Sequence, residues 1–142
     1  LDMAAPQDPL IVFAHHRHML DAVQQAAIAS GWRVARIDGA TSAKQRQAAS
    51  LAIQTGKIDI AVLSMLAAGT GLTLTASHRV VFAELYWVPA VIQQAEDRTH
   101  RIGQKHPVHI TRIVAQNTID ERVLKCLRKK CKQNATILST KT

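Results

Sequence analysis

Only two cysteines occur among the 142 residues, Cys126 and Cys131. Their spacing within a predicted helix suits neither a metal knuckle nor a Cys-x-x-Cys redox pair, so both read as reduced structural thiols. The seven histidines form no His-Glu-x-x-His or other ligand-spaced cluster, and no metal is expected in this chain. No apolar run reaches the ~18 residues of a membrane-spanning candidate, and no secretory leader is visible. Aromatic residues are 4% of the chain, and no basic helix carries the bulky aromatics of a membrane-surface anchor. These absences predict a soluble, intracellular protein without a membrane partner. A Gly-x-x-x-x-Gly-Lys loop is missing too: the one Gly-Lys pair, Gly56-Lys57, has Leu51 where the first glycine belongs. No Asp-Glu-x-His segment occurs either. The chain thus lacks the parts that cradle a nucleotide's phosphates and hold its Mg²⁺.

What is present describes one domain. The hydrophobic fraction of 47% is ordinary for a folded core. Eighteen Lys and Arg against ten Asp and Glu give a net charge of +8, and the pI is near 10.1. That excess points to a polyanionic partner, nucleic acid before membrane. Residues 1–9 and 134–142 read as flexible linker and tail, leaving 10–133 as the domain. No initiator Met opens the chain, so it reads as a piece of a longer protein.

Short apolar runs alternate with segments of helical period. Strands are predicted at 10–14, 33–37, 59–63, 80–83 and 108–114. Helices are predicted from Arg17 to Ser30, from the cap Ser42 to Thr55, from about Pro89 to Gly103, and from Thr118 onward. Asp120 and Glu121 lie in the first turn of the last helix. Arg128, Lys129, Lys130 and Lys132 are expected near its end, where they would complement the helix dipole. Strands alternating with crossover helices predict an α/β fold with a mostly parallel sheet and helices on both faces. Working residues of such sheets sit in loops at the carboxyl ends of the strands. Here those loops are His15-His16-Arg17, Asp38 to Thr41, Ser64 to Thr73 and Glu84 to Pro89.

Gln94, Arg98 and Arg101 are spaced by four and three, which puts them on one stripe of a helix. Two guanidiniums and an amide projecting together can dock a phosphate chain, because the planar fork of Arg binds phosphate oxygens in pairs. A phosphate-facing stripe without a phosphate-cradling loop is half of a nucleotide site. The other half must come from another domain.

Four stretches then carry a specific resemblance, in order along the chain. They are Val12-Phe13-Ala14-His15-His16, Arg36-Ile37-Asp38-Gly39-x-Thr41-Ser42, Ser64-x-x-Ala67-x-Gly69-x-Gly71-Leu72, and Trp87-x-Pro89 running into Gln94-Ala95-Glu96-Asp97-Arg98-x-His100-Arg101-Ile102-Gly103-Gln104. Together they resemble the later motifs of the Swi/Snf-related helicase-like ATPases of superfamily 2. The wording Phe82-Ala83-Glu84-Leu85-Tyr86-Trp87 is most similar to the annealing-helicase, fork-remodelling branch. Val88 stands where the family usually has Asn, and Thr73 where many relatives have Asn.

The resemblance implies the second RecA-like lobe, a three-layer sandwich, of an ATP-driven motor on double-stranded or forked DNA. Arg98 and Arg101 would be arginine fingers, with Gln94, Gly69 and Gly71 lining the same ATP cleft. ATP and Mg²⁺ would be held mainly by a first lobe of the same parent, so the fragment alone is expected to be inactive. His15, His16, Gly39, Thr41, Ser64, Ala67 and Thr73 would follow the tracked DNA strand, with Lys44 and Arg46 adding charge. Trp87 would reach toward the minor groove. Fork remodelling or strand annealing, DNA repair and a nuclear location are the implied setting. The alternatives are a chromatin-remodelling ATPase lobe, a strand-separating superfamily 2 helicase, and a catalytically inert nucleic-acid-binding module. Asp97 and His100 speak against the strand-separating helicase, whose motif has glycines there. Retention of both arginines speaks against the inert module.

Overall fold

The computed structural model describes residues 8–67, 72–84, 91, 93–95 and 107–139, with side chains described as far as residue 129. Its elements are β1 (Leu10–Ala14), α1 (Arg17–Ala29), β2 (Val34–Ile37), α2 (Ala43–Gln54), β3 (Ile60–Ser64), β4 (Arg79–Phe82), β5 (His109–Arg112) and α3 (Ile119–Ser139). The five strands form one sheet in the order β2-β3-β1-β4-β5, and every pairing between them is parallel.

β1 and β3 are buried at all five positions, as strands covered on both faces must be. Their alternation divides the core. Ile11, Phe13, Ala61, Leu63, Val80 and Phe82 face one side and pack with Ile53 of α2 and Leu127 of α3. Leu10, Val12, Ala14, Ile60 and Val62 face the other side and pack with Leu20 and Ala27 of α1. Helices therefore cover both faces, giving the three-layer sandwich. Phe13 and Phe82, both fully buried, stack across β1 and β4 with ring centroids 5.2 Å apart. Truncating a Phe in such a position costs about 3–5 kcal/mol.

Local chemistry sets the element ends. Ser42 and Gln45 make a reciprocal capping box at the start of α2, with bonds of 3.2 and 3.1 Å. Gly31 and Gly56 follow the helix ends with φ of +85° and +74°, a conformation that a Cβ would strain. Before β1, Asp8 meets His78 Nδ1 at 3.1 Å and Arg79 Nε at 2.8 Å, so the chain is tied down ahead of residue 10.

α3 departs from the sequence reading. It continues to Ser139, through residues expected as a tail, because neither Gly nor Pro occurs within it to stop it. No basic residue lies in its last turn, so Arg128 and Lys129 sit mid-helix and do not complement the dipole.

Candidate nucleic-acid interface at the strand carboxyl ends

Because all strands run parallel, their carboxyl ends lie along one edge of the sheet. Backbone bonds lace that edge together: Met65 N–H donates to Ala14 O at 3.0 Å, Ala83 N–H to Phe13 O at 2.9 Å, and Ile113 N–H to Phe82 O at 3.0 Å. The loops beyond these ends are thereby held close to one another.

A cavity of about 200 Å³ opens between three of the loops, lined by His15, Arg17, Leu20, Asp38, Gly39, Ala40 and Ser64. Its β2 side is rigid. Asp38 Oδ1 accepts the Ala40 N–H at 2.9 Å and the Thr41 hydroxyl at 3.3 Å, while Thr41 Oγ1 accepts the Asp38 N–H at 3.0 Å. Arg36 Nε donates to Asp38 Oδ2 at 2.8 Å, and its NH1 reaches Asp21 and Gln24 on α1. Burial alone would raise the Asp38 pKa. The Ala40 N–H, Arg36 and Thr41 outweigh it and hold this carboxyl below its ordinary value. A Cβ on Gly39 would meet nothing within 4 Å, so packing inside this chain is not what calls for glycine there.

Thr41 belongs to a second, larger groove of about 690 Å³ between α2 and the residues before β4, lined also by Arg46, Ser50, Leu51, Leu72 and Thr73. The two walls are stapled: Ser50 Oγ donates to Thr73 O at 3.1 Å, Gln54 Nε2 to Thr75 Oγ1 at 3.1 Å, and Ala76 N–H to Gln54 Oε1 at 2.7 Å. Arg46 spans the floor. Its guanidinium donates to Thr41 O at 2.9 Å, to Asp38 O at 3.0 Å and to Ala67 O at 3.5 Å, binding the loops after β2 and β3 to one side chain.

The loop after β1 is held differently. His16 is the N-cap of α1, but its side chain makes no capping bond. Glu84, just past β4, supplies the acceptor instead. Its Oε2 takes the backbone N–H of His15 and of His16, each at 2.8 Å, and its Oε1 meets His16 Nδ1 at 2.9 Å. Burial works to raise the Glu84 pKa, yet the two N–H donors and His16 bring it below the usual carboxylate range. In the sequence Glu84 opens a candidate working loop and belongs to a motif, but nothing there gives it this role. The signal that could have found its role is an acidic residue directly after a buried strand, at the working edge of a parallel sheet.

The residues expected along DNA thus fall on one edge. His15, His16, Gly39, Thr41, Ser64 and Thr73 line or flank the two openings. Ser64 and Ala67 are buried. Lys44 is exposed on α2, and Arg46 lies in the groove with its donors directed at carbonyls. Gln94 is exposed on helical residues 93–95, whose Ala95 is fully buried in the core. Gly69, Gly71, Trp87, Arg98 and Arg101 lie outside the described residues. Among the described residues there is no group of three or more His, Cys, Asp or Glu that could hold a metal ion. No helix among them is long and apolar enough to cross a membrane.

Comparison with known proteins bears on this edge. The family described as "Helicase conserved C-terminal domain" matches residues 2–103. "DNA annealing helicase and endonuclease ZRANB3" of Homo sapiens is 45% identical over 132 residues, covering 91% of this chain and 12% of that protein. A Caenorhabditis elegans homolog of "SWI/SNF-related matrix-associated actin-dependent regulator of chromatin subfamily A-like protein 1" is 43% identical over 118 residues, 82% of this chain and 17% of that protein. The chain therefore spans less than a fifth of these relatives' length. The crystal structure of the C-terminal part of the Fun30 ATPase domain superposes with a TM-score of 0.80 at 27% identity, over 85% of this chain and 39% of that one. A parallel RecA-like sheet, its loops gathered at the carboxyl edge, and these matches lead to one assignment: the chain belongs to the helicase conserved C-terminal domain family, on its SWI/SNF-related side, and has the fold of the second, C-terminal lobe.

Proposed function

We propose that residues 10–133 form the second motor lobe of an ATP-dependent translocase on double-stranded or forked DNA. Arg98 and Arg101 act as fingers on ATP held, with its Mg²⁺, by a first lobe elsewhere in the same protein. Gln94 and the backbone of Gly69 and Gly71 line the same cleft. The tracked strand passes the loops after β1, β2 and β3, meeting His15, His16, Gly39, Thr41, Ser64, Ala67 and Thr73, with Lys44 adding charge and Trp87 reaching toward the minor groove. Arg46 serves this track by fixing its loops.

The observation that carries the reading is the convergence of those loops on one edge, around a cavity lined by His15, Arg17 and Ser64 and a groove that carries Thr41, Arg46 and Thr73. A motor that steps along any duplex must hold backbone phosphates and avoid base edges. The net charge of +8 supports a polyanionic track. The human relative is named a DNA annealing helicase and the worm relative a regulator of chromatin, which supports DNA as the track and strand annealing as the task. Fork remodelling in the nucleus belongs to the same proposal.

The test is duplex-stimulated ATP hydrolysis by the full-length parent. Arg98→Ala or Arg101→Ala is expected to lower kcat by about 10³- to 10⁵-fold, the range of arginine fingers in phosphoryl transfer, with DNA affinity nearly unchanged. An equal loss of DNA affinity would place the stripe on DNA phosphates instead.

A further inference from the structure

We infer that Glu84 is a positioning residue for DNA engagement: from the end of β4 it fixes the turn between β1 and α1 that forms one wall of the strand-end cavity. The two walls of that cavity are held by different means. On the β2 side, Asp38 is locked by its own turn and by Arg36, and Arg46 binds the loop from below. On the β1 side, the N–H groups of His15 and His16 converge on one carboxylate oxygen contributed from more than sixty residues away. Successive N–H groups at a helix start form a natural anion site. Here a side chain of the protein fills it, so a DNA phosphate is directed past it to Arg17, Gly39 and Ser64 in the adjoining cavity.

The glutamate side chain is only 17% exposed, which keeps water from competing for its oxygens. What the clasp requires is reach. Aspartate keeps the charge but is about 1.5 Å shorter, one carbon–carbon bond, which takes the 2.8 Å contacts out of hydrogen-bond range. Glutamine loses the charge but keeps the length: its amide oxygen accepts both N–H groups, and its NH₂ donates to His16 Nδ1 in the neutral tautomer.

This inference rests on the translocase reading and is tested in the full-length parent, by ATP hydrolysis titrated with random-sequence duplex. For Glu84→Asp the half-saturating DNA concentration should rise about five- to tenfold, the net worth of one ordinary hydrogen bond lost from the positioning of the turn, while kcat at saturating DNA stays within about twofold. Glu84→Gln should restore the unsubstituted half-saturation. Asp59→Ala removes a comparable carboxylate clasp, to Arg33, at the opposite end of the sheet, and should leave half-saturation unchanged. The inference is overturned if Glu84→Asp titrates like the unsubstituted protein, if Glu84→Gln fails as Glu84→Asp does, or if Asp59→Ala gives the same shift. An unsubstituted parent with no duplex-stimulated hydrolysis refutes the translocase reading itself, and the inference with it.

Discussion

Replacing Arg46 separates two roles that a basic residue in a DNA groove can have. Arg46 donates two well-formed bonds, at 2.9 and 3.0 Å, and a third at the outer limit of 3.5 Å. Bonds from a charged donor contribute about 1.5–3 kcal/mol each where water is excluded, and less where it can take the donor's place. Arg46 is half-buried, so each good bond is discounted to about 1 kcal/mol and Arg46→Ala should cost about 2 kcal/mol in all. For a chain of this size that lowers the Tm by roughly 8 °C. Arg46→Lys should cost nearly as much, because an ammonium lacks the planar fork whose separate nitrogens reach Thr41 O and Asp38 O at once. In the full-length parent both variants should weaken DNA binding through displaced loops, leaving the dependence of log K on log salt unchanged. A direct phosphate contact contributes about 0.9 to that slope. Fluorescence anisotropy at several salt concentrations, beside thermal unfolding of the chain, reads both quantities. An Arg46→Ala variant with unaltered Tm and a slope reduced by about 0.9 would show Arg46 on the phosphates and refute the bracket.

Three further outcomes are expected. The 142-residue chain alone should hydrolyse no ATP and bind it weakly; duplex-stimulated hydrolysis that Arg101→Ala abolishes would contradict this. Neutralising Lys125, Arg128 and Lys129 on α3 should cost less DNA affinity and less salt slope than altering Thr41, Lys44 and Thr73 together, and the reverse ranking would move the DNA track. The hydrogen bond from Arg33, against the opposing effect of burial, holds the Asp59 carboxyl below its ordinary value. A carboxyl depressed in the folded state adds stability above its unfolded pKa, about 3.9, and loses it as pH falls through the folded value. Asp59→Asn should therefore be less stable than the unsubstituted chain at pH 7, the gap closing below about pH 4; a gap of equal size at pH 3 would refute the linkage.

The elements most legible in the sequence were those whose forces are local. The apolar runs at β1 and β3, the Ser42 cap and the glycines after α1 and α2 each act within a few residues; β1, the cap and the glycines stand where the sequence placed them, and β3 lies a single residue later. β4 and β5 shifted or shortened by a residue or two, because strand ends depend on pairing partners that a pattern does not reveal. α3 overran its expected end because a charged run was read as a terminus although nothing in it breaks a helix. The loops of the candidate interface followed from the parallel topology. What holds them did not: the Glu84 clasp and the reach of Arg46 to Ala67 join residues far apart in sequence, and a sequence pattern does not reveal which residues such side chains will meet. The arginine stripe is the opposite case, plain in spacing but outside the described residues.

The position of β1 in the sheet has a consequence for how the chain is made. Leu10–Ala14 is the first of the five strands in chain order, yet its partners on either side, β3 and β4, are synthesised much later: Leu10 pairs with Ile60 and with Arg79. Until then Leu-Ile-Val-Phe-Ala is a short, uncharged segment of high β propensity with neither neighbour in place. That is the composition from which intermolecular strands nucleate. Pro9 before it and His15-His16-Arg17 after it are residues that interrupt such growth. The same flanks that begin the turn between β1 and α1 therefore also guard the nascent strand, and substitutions there should lower soluble yield even where the finished fold tolerates them.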